Sequence, residues 1–207
     1  MTSPKGVSPI VSNKASRQFV LASESPRRLA LLAQAGLVPD AVKPAAVDET
    51  PLRAELPRAY AQRVARAKAE TVAGNWTDGP ALFLAADTVV ACGRRILPKA
   101  ETDQQVRECL DILSGRRHQV LTAVVVLGGE RLRRRLVETR LAFKRLTDEE
   151  IEAYLRCGEG LGKAGGYAIQ GRAETFVRQV NGSYSNVVGL PLLETVGLLR
   201  SCGVAIS

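Results

Sequence analysis

The hydrophobic pattern of the chain alternates between continuous apolar runs, which predict buried strands, and amphipathic segments, which predict helices. Residues 81–91, ALFLAADTVVA, carry a single charge, and their length and valine content predict a strand buried on both faces. Residues 19–22 predict a shorter apolar strand, and an extended stretch follows at 41–47. Residues 118–127 and 135–146 predict two long strands separated by a Gly-Gly turn.

Helices are indicated by their start and stop signals as well as by their periodicity. Ser25 and Pro26 suit the N-cap and the first position of a helix that ends at Gly36. Thr147 and Glu150 form a capping box at the start of another helix, which runs to about residue 157. Three further helices are predicted, over residues 57–74, 102–113 and 191–199.

The dipeptide Asn181-Gly182 predicts a hairpin in which FVRQV and SYSNVV are the paired strands. Strands and helices intermix, with antiparallel neighbours in the second half. This order predicts an α/β fold, mixed α+β, with a central twisted mixed sheet flanked by helices. Without an internal repeat or a linker, residues 17–207 are interpreted as a single domain. Residues 1–16 are polar and are interpreted as a disordered tail, not a signal peptide.

Composition excludes several classes of protein. No apolar run approaches the roughly 18–20 residues that cross a bilayer, so no membrane span is expected. The four cysteines lie far apart without a CxxC pair, and His118 is the single histidine. This set argues against a Cys/His zinc site and is typical of a protein in a reducing cytoplasm. His118, at the start of a predicted strand, is interpreted as structural.

The net charge of +8, from 29 basic and 21 acidic residues, indicates a protein that binds anions. Aromatic residues make up only 4% of the chain, which argues against a surface that stacks exposed nucleic-acid bases. Part of the excess lies in RLRRRLVETR at residues 131–140, a pattern that predicts a strand with one solvated face. Small anions such as nucleotides therefore fit the composition better than nucleic acid does.

The strand-to-helix turn SESPRR, residues 23–28, is the first candidate for chemistry. Free N–H groups at the start of a helix attract phosphate, and Arg27 and Arg28 lie in that first turn. Two cations there oppose the helix dipole, and an anionic ligand resolves the conflict. The alternative is a solvated basic turn that pairs with nearby acids.

Asp87 is the second candidate, because a carboxylate inside an apolar strand is costly unless it is paired or binds a metal ion. The residues alone leave a salt bridge and an active site as open alternatives. Asp48 and Glu49 form an acidic pair that could assist a metal ion or simply be solvated. Lys68 and Lys99 lie between apolar segments, where a lysine can serve as a counter-charge to phosphate.

Two familiar nucleotide signatures are rejected. GLGKAG, residues 160–165, formally matches GxGxxG, but it follows a predicted helix and opens none, so it is not a Rossmann turn. Gly162 and Lys163 resemble the end of a Walker A loop. Ala164 follows them, however, and Cys157 occupies the position of the required upstream glycine, so the chain has no P-loop.

Five motifs, read in order along the chain, carry a resemblance to a known family: LASESPRR, AADTVV, LSGRRHQVLTAV, KAGGYAIQG and NGSYSNVVGLPL. Together they resemble the Maf family of nucleoside triphosphate pyrophosphatases over nearly all of residues 20–199. The resemblance implies a single Maf-like domain at 17–207, with a mixed sheet in two lobes around a cleft. It also implies hydrolysis between the α and β phosphates with Mg²⁺ or Mn²⁺, and a homodimer.

The resemblance places the catalytic centre at Asp87. This residue corresponds to the family's catalytic aspartate, which accepts a proton from the attacking water and binds the metal ion. The family's acidic loop falls on Asp48 or Glu49, and Glu49 is taken as the second metal ligand. Lys68 and Lys99 correspond to the lysines of the family's cleft and are taken as catalytic residues together with Asp87.

The resemblance also implies how the nucleotide is bound. The phosphate-binding serine and arginine pair fall on Ser23, Arg27 and Arg28. The positions associated with the choice of base fall on Arg27, Thr88 and Gln170. KAGGYAIQG, with Gln170, resembles the branch that acts on dTTP and UTP, and a glutamine amide can pair with the imide edge of uracil or thymine.

Three departures from the family's pattern bear on affinity and selectivity more than on the reaction. Glu24 replaces a small residue in the SESPRR turn, and Gly162 replaces an aspartate. The family's usual Lys-Pro pair reads Pro98-Lys99-Ala100 in this chain. Two other functions stay open. One is a pyrophosphatase for modified or deaminated purine nucleotides, and the other is a regulator of cell division that binds nucleotide or nucleic acid without hydrolysing it.

Overall fold

The computed structural model describes residues 17–204, so the predicted tail at residues 1–16 lies outside it. The strands are β1 (Gln18–Leu21), β2 (Ala41–Val42), β3 (Ala81–Cys92), β4 (Arg95–Leu97), β5 (Lys99–Ala100), β6 (Arg117–Gly128), β7 (Arg131–Phe143), β8 (Lys163–Ala164) and β9 (Val177–Asn181). The helices are α1 (Pro26–Gln34), α2 (Pro57–Gly74), α3 (Asp103–Leu113), α4 (Asp148–Cys157), α5 (Tyr184–Val188) and α6 (Leu192–Ser201), with a 3₁₀ turn at Arg172–Phe176.

Most of the strands form one mixed sheet in the order β2-β1-β3-β6-β7-β9, and β4 pairs with β3 beyond the end of β1. Strand β1 is parallel to β2 and β3, whereas β3, β6, β7 and β9 form antiparallel pairs. The parallel pairs occur where a helix connects the strands, and the antiparallel pair β6–β7 follows a tight turn. The predicted mixed α/β fold is confirmed.

Both faces of the main sheet are covered because β3 and β6 are apolar on both sides. On one face, α2 packs closely through small residues, among them Ala61, Ala65 and Ala69. On the other face lies the larger core, to which α1, α3, α4 and α6 contribute buried side chains such as Leu32, Leu110, Tyr154 and Leu199. Burying this apolar surface is the main favourable contribution to folding.

A second, two-stranded sheet joins the glycine-rich segment to the main body. Strands β5 and β8 pair antiparallel, with Lys99 opposite Ala164 and Ala100 opposite Lys163. The next residue, Gly165, has φ of 68°, and a Cβ there would lie 2.8 Å from the Cβ of Val90 on β3. Only glycine therefore lets this segment pack against β3, and its glycines serve packing and not a Rossmann turn.

Most predicted helices begin at the predicted signals. Pro26 and Pro57 open α1 and α2, and Thr102 caps α3 by accepting a hydrogen bond from the Gln105 N–H at 3.2 Å. The capping box of Thr147 and Glu150 is present at α4. No helix within residues 17–204 is long and apolar enough to cross a membrane.

The hairpin predicted at Asn181-Gly182 is wrong. Strand β9 ends at Asn181 and pairs with β7, and SYSNVV forms α5 instead of a strand. Ser183 favours the helix, because its hydroxyl accepts a hydrogen bond from the Asn186 N–H at 3.2 Å and caps the helix. The extended stretch predicted at residues 41–47 is also shorter than expected, since β2 contains only two residues.

Candidate active site

The candidate site lies where β3 has an open edge. Strand β1 pairs with β3 only as far as Leu84, and β4 begins its pairing at Val90. In the described part of the chain, residues 85–89 therefore have no strand partner on this edge. Successive side chains of a strand point to opposite faces. Asp87 consequently lies on the face covered by α2, and Thr88 lies on the opposite face.

A cleft of about 810 Å³ opens at this edge. Both sheets contribute to its walls, the main sheet through β3 and the small sheet through β5 and β8. The nine site residues that the resemblance implied in the cleft all line it: Ser23, Arg27, Arg28, Glu49, Lys68, Asp87, Thr88, Lys99 and Gln170. The cleft is large enough for a nucleotide, since ligand pockets commonly measure about 300–1,000 Å³.

Asp87 and Glu49 converge on one ammonium group. The Lys68 Nζ on α2 lies 2.7 Å from Asp87 Oδ1 and 2.7 Å from Glu49 Oε1. Asp87 is only 5% exposed. Burial raises the pKa of its carboxyl, and the positive charges of Lys68 and Arg28 act in the opposite direction.

Asp48, the other half of the acidic pair, has a different environment. It does not line the cleft, and its Oδ1 accepts a hydrogen bond from the Thr50 N–H at 2.8 Å. Tyr60, on α2, holds the neighbouring residue in place because its hydroxyl donates to the Glu49 carbonyl at 2.8 Å. Of the two acidic residues, Glu49 is therefore the one that faces the cleft.

Arg28 connects three segments at the cleft. Its Nε donates to the Gly189 carbonyl at 2.9 Å, its Nη1 donates to Ser23 Oγ at 3.0 Å, and its Nη2 lies 3.4 Å from Thr88 Oγ1. Burial lowers the pKa of this guanidinium, and the negative charge of Asp87 opposes that shift. Arg28 thus fixes the turn before α1 against β3 and the segment after α5. Within residues 17–204, two of its five N–H donors make no hydrogen bond.

Three further cations, Arg27, Lys99 and Lys163, lie along the same cleft. Within residues 17–204, the Arg27 guanidinium makes no hydrogen bond or ion pair, and burial lowers its pKa. The Lys163 Nζ donates to the Leu161 carbonyl at 3.1 Å. Burial lowers the pKa of Lys163, and the positive charges of Arg27 and Lys99 lower it further. These cations repel one another, and an anion bound among them would stabilise their charged forms.

Sequence reasoning missed Lys163, which it considered only as part of a rejected P-loop. The signal was the glycine-rich KAGG segment itself, which brings a lysine next to Lys99 through the pairing of β8 with β5. Glu24, the departure in the SESPRR turn, is exposed and also lines the cleft. His118 is 2% exposed, and its Nε2 lies 2.9 Å from the Tyr167 hydroxyl, so its structural interpretation is confirmed.

The fold and the site define a class of α/β protein with a basic cleft beside a buried carboxylate. A family model described as Maf-like protein matches residues 18–202. The chain belongs to this family, which confirms the resemblance drawn from its motifs.

Curated relatives cover nearly the whole chain. A dTTP/UTP pyrophosphatase of Rhodopseudomonas palustris strain BisB18 is 58% identical over 194 residues, which are 91% of this chain and 94% of that protein. The protein of the same name from Brucella abortus strain 2308 is 59% identical over 191 residues, 90% of this chain and 92% of the relative. A third, from Mesorhizobium japonicum, is 55% identical over 195 residues, 92% of this chain and 94% of the relative.

Proposed function

We propose that the protein hydrolyses nucleoside triphosphates, dTTP and UTP in particular, to the nucleoside monophosphate and inorganic diphosphate. The relatives named dTTP/UTP pyrophosphatase support this proposal, because each aligns with at least 90% of the chain. The single observation that carries it is the buried carboxylate of Asp87, which lines a cleft together with two arginines and several lysines. A site that only bound anions would gain nothing from a carboxylate at this position.

In this proposal Asp87 accepts the proton of the attacking water. A raised pKa makes a carboxylate a stronger base, and burial raises the pKa of Asp87. The Lys68 ammonium, 2.7 Å away, favours the ionised form that the reaction needs. Lys68 also limits the rotation of the carboxylate, because its second partner, Glu49, keeps the ammonium in one place.

The triphosphate is held by the basic side chains of the cleft. Arg27 supplies a guanidinium that makes no contact within the described residues, and Arg28 supplies its two remaining donors beside Ser23. Lys99 and Lys163 add two ammonium groups from the small sheet. As the bond between the α and β phosphates breaks, these cations stabilise the negative charge that develops on the departing diphosphate.

A divalent cation, Mg²⁺ or Mn²⁺, is part of the proposal. Carboxylate oxygens are the ligands that such hard cations prefer, and Asp87 and Glu49 each bring one carboxylate to Lys68 Nζ, at 2.7 Å in both cases. Residues 17–204 contain no group of three or more His, Cys, Asp or Glu side chains suited to a metal ion. Two carboxylates therefore fit an ion that takes its other ligands from substrate phosphates and water, as Mg²⁺ commonly does. When bound, the ion would neutralise phosphate charge and polarise the phosphorus centre.

Gln170 and Thr88 are proposed to recognise the base. Gln170 is exposed at the cleft, where its amide offers both a donor and an acceptor to an imide edge. Thr88 lines the same cleft from the face of β3 opposite to Asp87. The open edge of β3 thus separates a catalytic side, with Asp87 and Lys68, from a side suited to the nucleoside.

The assembly and location of the protein are part of the same proposal. Family resemblance implies a homodimer, which light scattering coupled to size-exclusion chromatography would test. The four cysteines, Cys92, Cys109, Cys157 and Cys202, are all free thiols, and a cytoplasmic location is proposed on that basis.

The experiment that tests the function is an assay of the purified protein against a panel of nucleoside triphosphates with Mg²⁺ or Mn²⁺. We expect monophosphate and diphosphate from dTTP and UTP, with slower turnover of ATP, GTP and CTP. A preference for deaminated purine nucleotides would favour the alternative pyrophosphatase. If no nucleotide is turned over with either metal ion, the proposal that the protein is a pyrophosphatase is wrong.

A further inference from the structure

Two threonine hydroxyl groups connect the cleft to the interior of the protein, one on Thr88 at the cleft and one on Thr122 behind it. Thr122 lies on β6 directly opposite Thr88 on β3 and is fully buried. The two hydroxyl oxygens are 2.9 Å apart. The Thr122 hydroxyl also donates to the backbone carbonyl of Asn186, on α5, at 3.0 Å.

Counting the protons of these two hydroxyl groups fixes the direction of each hydrogen bond. A threonine hydroxyl has only one proton to donate. Because Thr122 donates its proton to the Asn186 carbonyl, Thr88 must be the donor in the Thr88–Thr122 contact. The other acceptor near Thr88, the Gly189 carbonyl, is 3.4 Å away, longer than a normal O–H···O bond of about 2.5–3.0 Å. That carbonyl already accepts from Arg28 Nε at 2.9 Å.

The consequence concerns what Thr88 can offer a ligand. Its proton is used within the protein, and one of its two lone pairs faces Arg28 Nη2 at 3.4 Å. What the hydroxyl offers the cleft is therefore its remaining lone pair, as a hydrogen-bond acceptor. Ionised phosphate oxygens are acceptors too and cannot form a hydrogen bond with such a group. A group of the nucleotide that forms a hydrogen bond with Thr88 must therefore be a donor.

We propose that Thr122 is a specificity-determining positioning residue, which holds Thr88 as an acceptor for the ring N–H of uracil and thymine. Cytosine has the same size, but its ring nitrogen at this position is an acceptor, so two acceptors would face each other in a partly buried site. Leaving such groups unpaired is costly, which gives discrimination without any contact between Thr122 and the nucleotide. This inference rests on the proposed function and adds to it the device that selects the base.

The test replaces the Thr122 hydroxyl and measures kcat/KM for UTP and for CTP. In Thr122→Val, a methyl group takes the place of the hydroxyl, and the Thr88 proton becomes free to turn toward the cleft and donate to cytosine. We expect the ratio of kcat/KM for UTP to that for CTP to fall about tenfold, the effect of about one hydrogen bond. Thr122→Ser keeps the hydroxyl and should keep the wild-type ratio.

The substrate ratio distinguishes this role from a merely structural one, because a distorted cleft would lower the activity toward both nucleotides alike. An unchanged ratio in Thr122→Val would overturn the proposal. A Thr88 that contacts the ribose instead of the base also predicts an unchanged ratio, because UTP and CTP carry the same sugar. Circular dichroism and a thermal melt check that the variant is folded. If it is not, Thr122→Ala removes the same hydroxyl from a smaller side chain and is measured in the same way.

The wild-type protein separates this inference from the function on which it rests. If it hydrolyses UTP and CTP equally well, the proposal about Thr122 is wrong and the pyrophosphatase function stands. If it hydrolyses neither nucleotide, the proposed function is wrong and the inference fails with it.

Discussion

Replacing Asp87 with asparagine is expected to stop nucleotide hydrolysis without weakening the fold. Asparagine has the size of aspartate but cannot accept the proton of the attacking water. Loss of a general base typically lowers the rate by about 100- to 10,000-fold, so kcat with UTP should fall by at least about 100-fold. Lys68 keeps its contact with Glu49 at 2.7 Å, so the substitution leaves no unpaired buried ammonium.

The effect on stability follows from the direction of the pKa shift. Burial raises the pKa of Asp87, which means that the ionised form is less favourable in the folded than in the unfolded chain. A neutral asparagine removes this cost at pH 7. The free energy of unfolding should therefore stay equal or rise, by up to about 1 kcal/mol. As the pH falls through the raised pKa, Asp87 becomes protonated, and the difference between variant and wild type should shrink.

The assay compares wild type and Asp87→Asn by chromatography of the nucleotide products and by urea denaturation at pH 7. Asp78→Asn is the matched control, because Asp78 is exposed, lies outside the cleft and should tolerate the same change. Near-normal turnover by folded Asp87→Asn would refute its role as the base. A variant clearly less stable than the wild type would show that Asp87 is a structural ion-pair partner.

Two other substitutions test the charges described above. Lys163→Met should raise KM for UTP roughly fivefold, because it removes a partly exposed cation from the phosphate side of the cleft; Lys43→Met, outside the cleft, should not. An unchanged KM would leave Lys163 without a role in binding. Burial lowers the pKa of His118 to about 4 from an ordinary 6.5, so the unfolded chain binds more protons between these values and stability falls on acidification. Between pH 7 and pH 5 the free energy of unfolding should fall by about 2 kcal/mol because of His118. In urea denaturation, His118→Asn should lack this part of the pH dependence. An identical pH dependence in both proteins would contradict the lowered pKa of His118.

The strands and helices with strong local signals were predictable from the sequence. The apolar run at β3 and the capping box at α4 depend on residues close together in the chain, so the pattern contains the information. SYSNVV was predicted wrongly because two local signals compete there. Asn181-Gly182 favours a hairpin, but Ser183 caps a helix, and the pairing of β9 with the distant β7 decides between them.

The candidate site was predictable in part. For Asp87 the residues alone left a salt bridge and an active site as alternatives. The structure shows the salt bridge with Lys68 and a position at the cleft, and the catalytic role stays a prediction. The glycine-rich KAGG segment is a local signal for Lys163, but the position of Lys163 near Lys99 depends on the pairing of β8 with β5. The link between Thr88 and Thr122 likewise depends on the register of two long strands.

The most direct test of the account is to follow the products of UTP by ³¹P NMR as the wild-type protein turns it over with Mg²⁺. Cleavage between the α and β phosphates predicts equal amounts of UMP and inorganic diphosphate from the start of the reaction. Signals of UDP and inorganic phosphate would show cleavage at the terminal phosphate and would contradict the account.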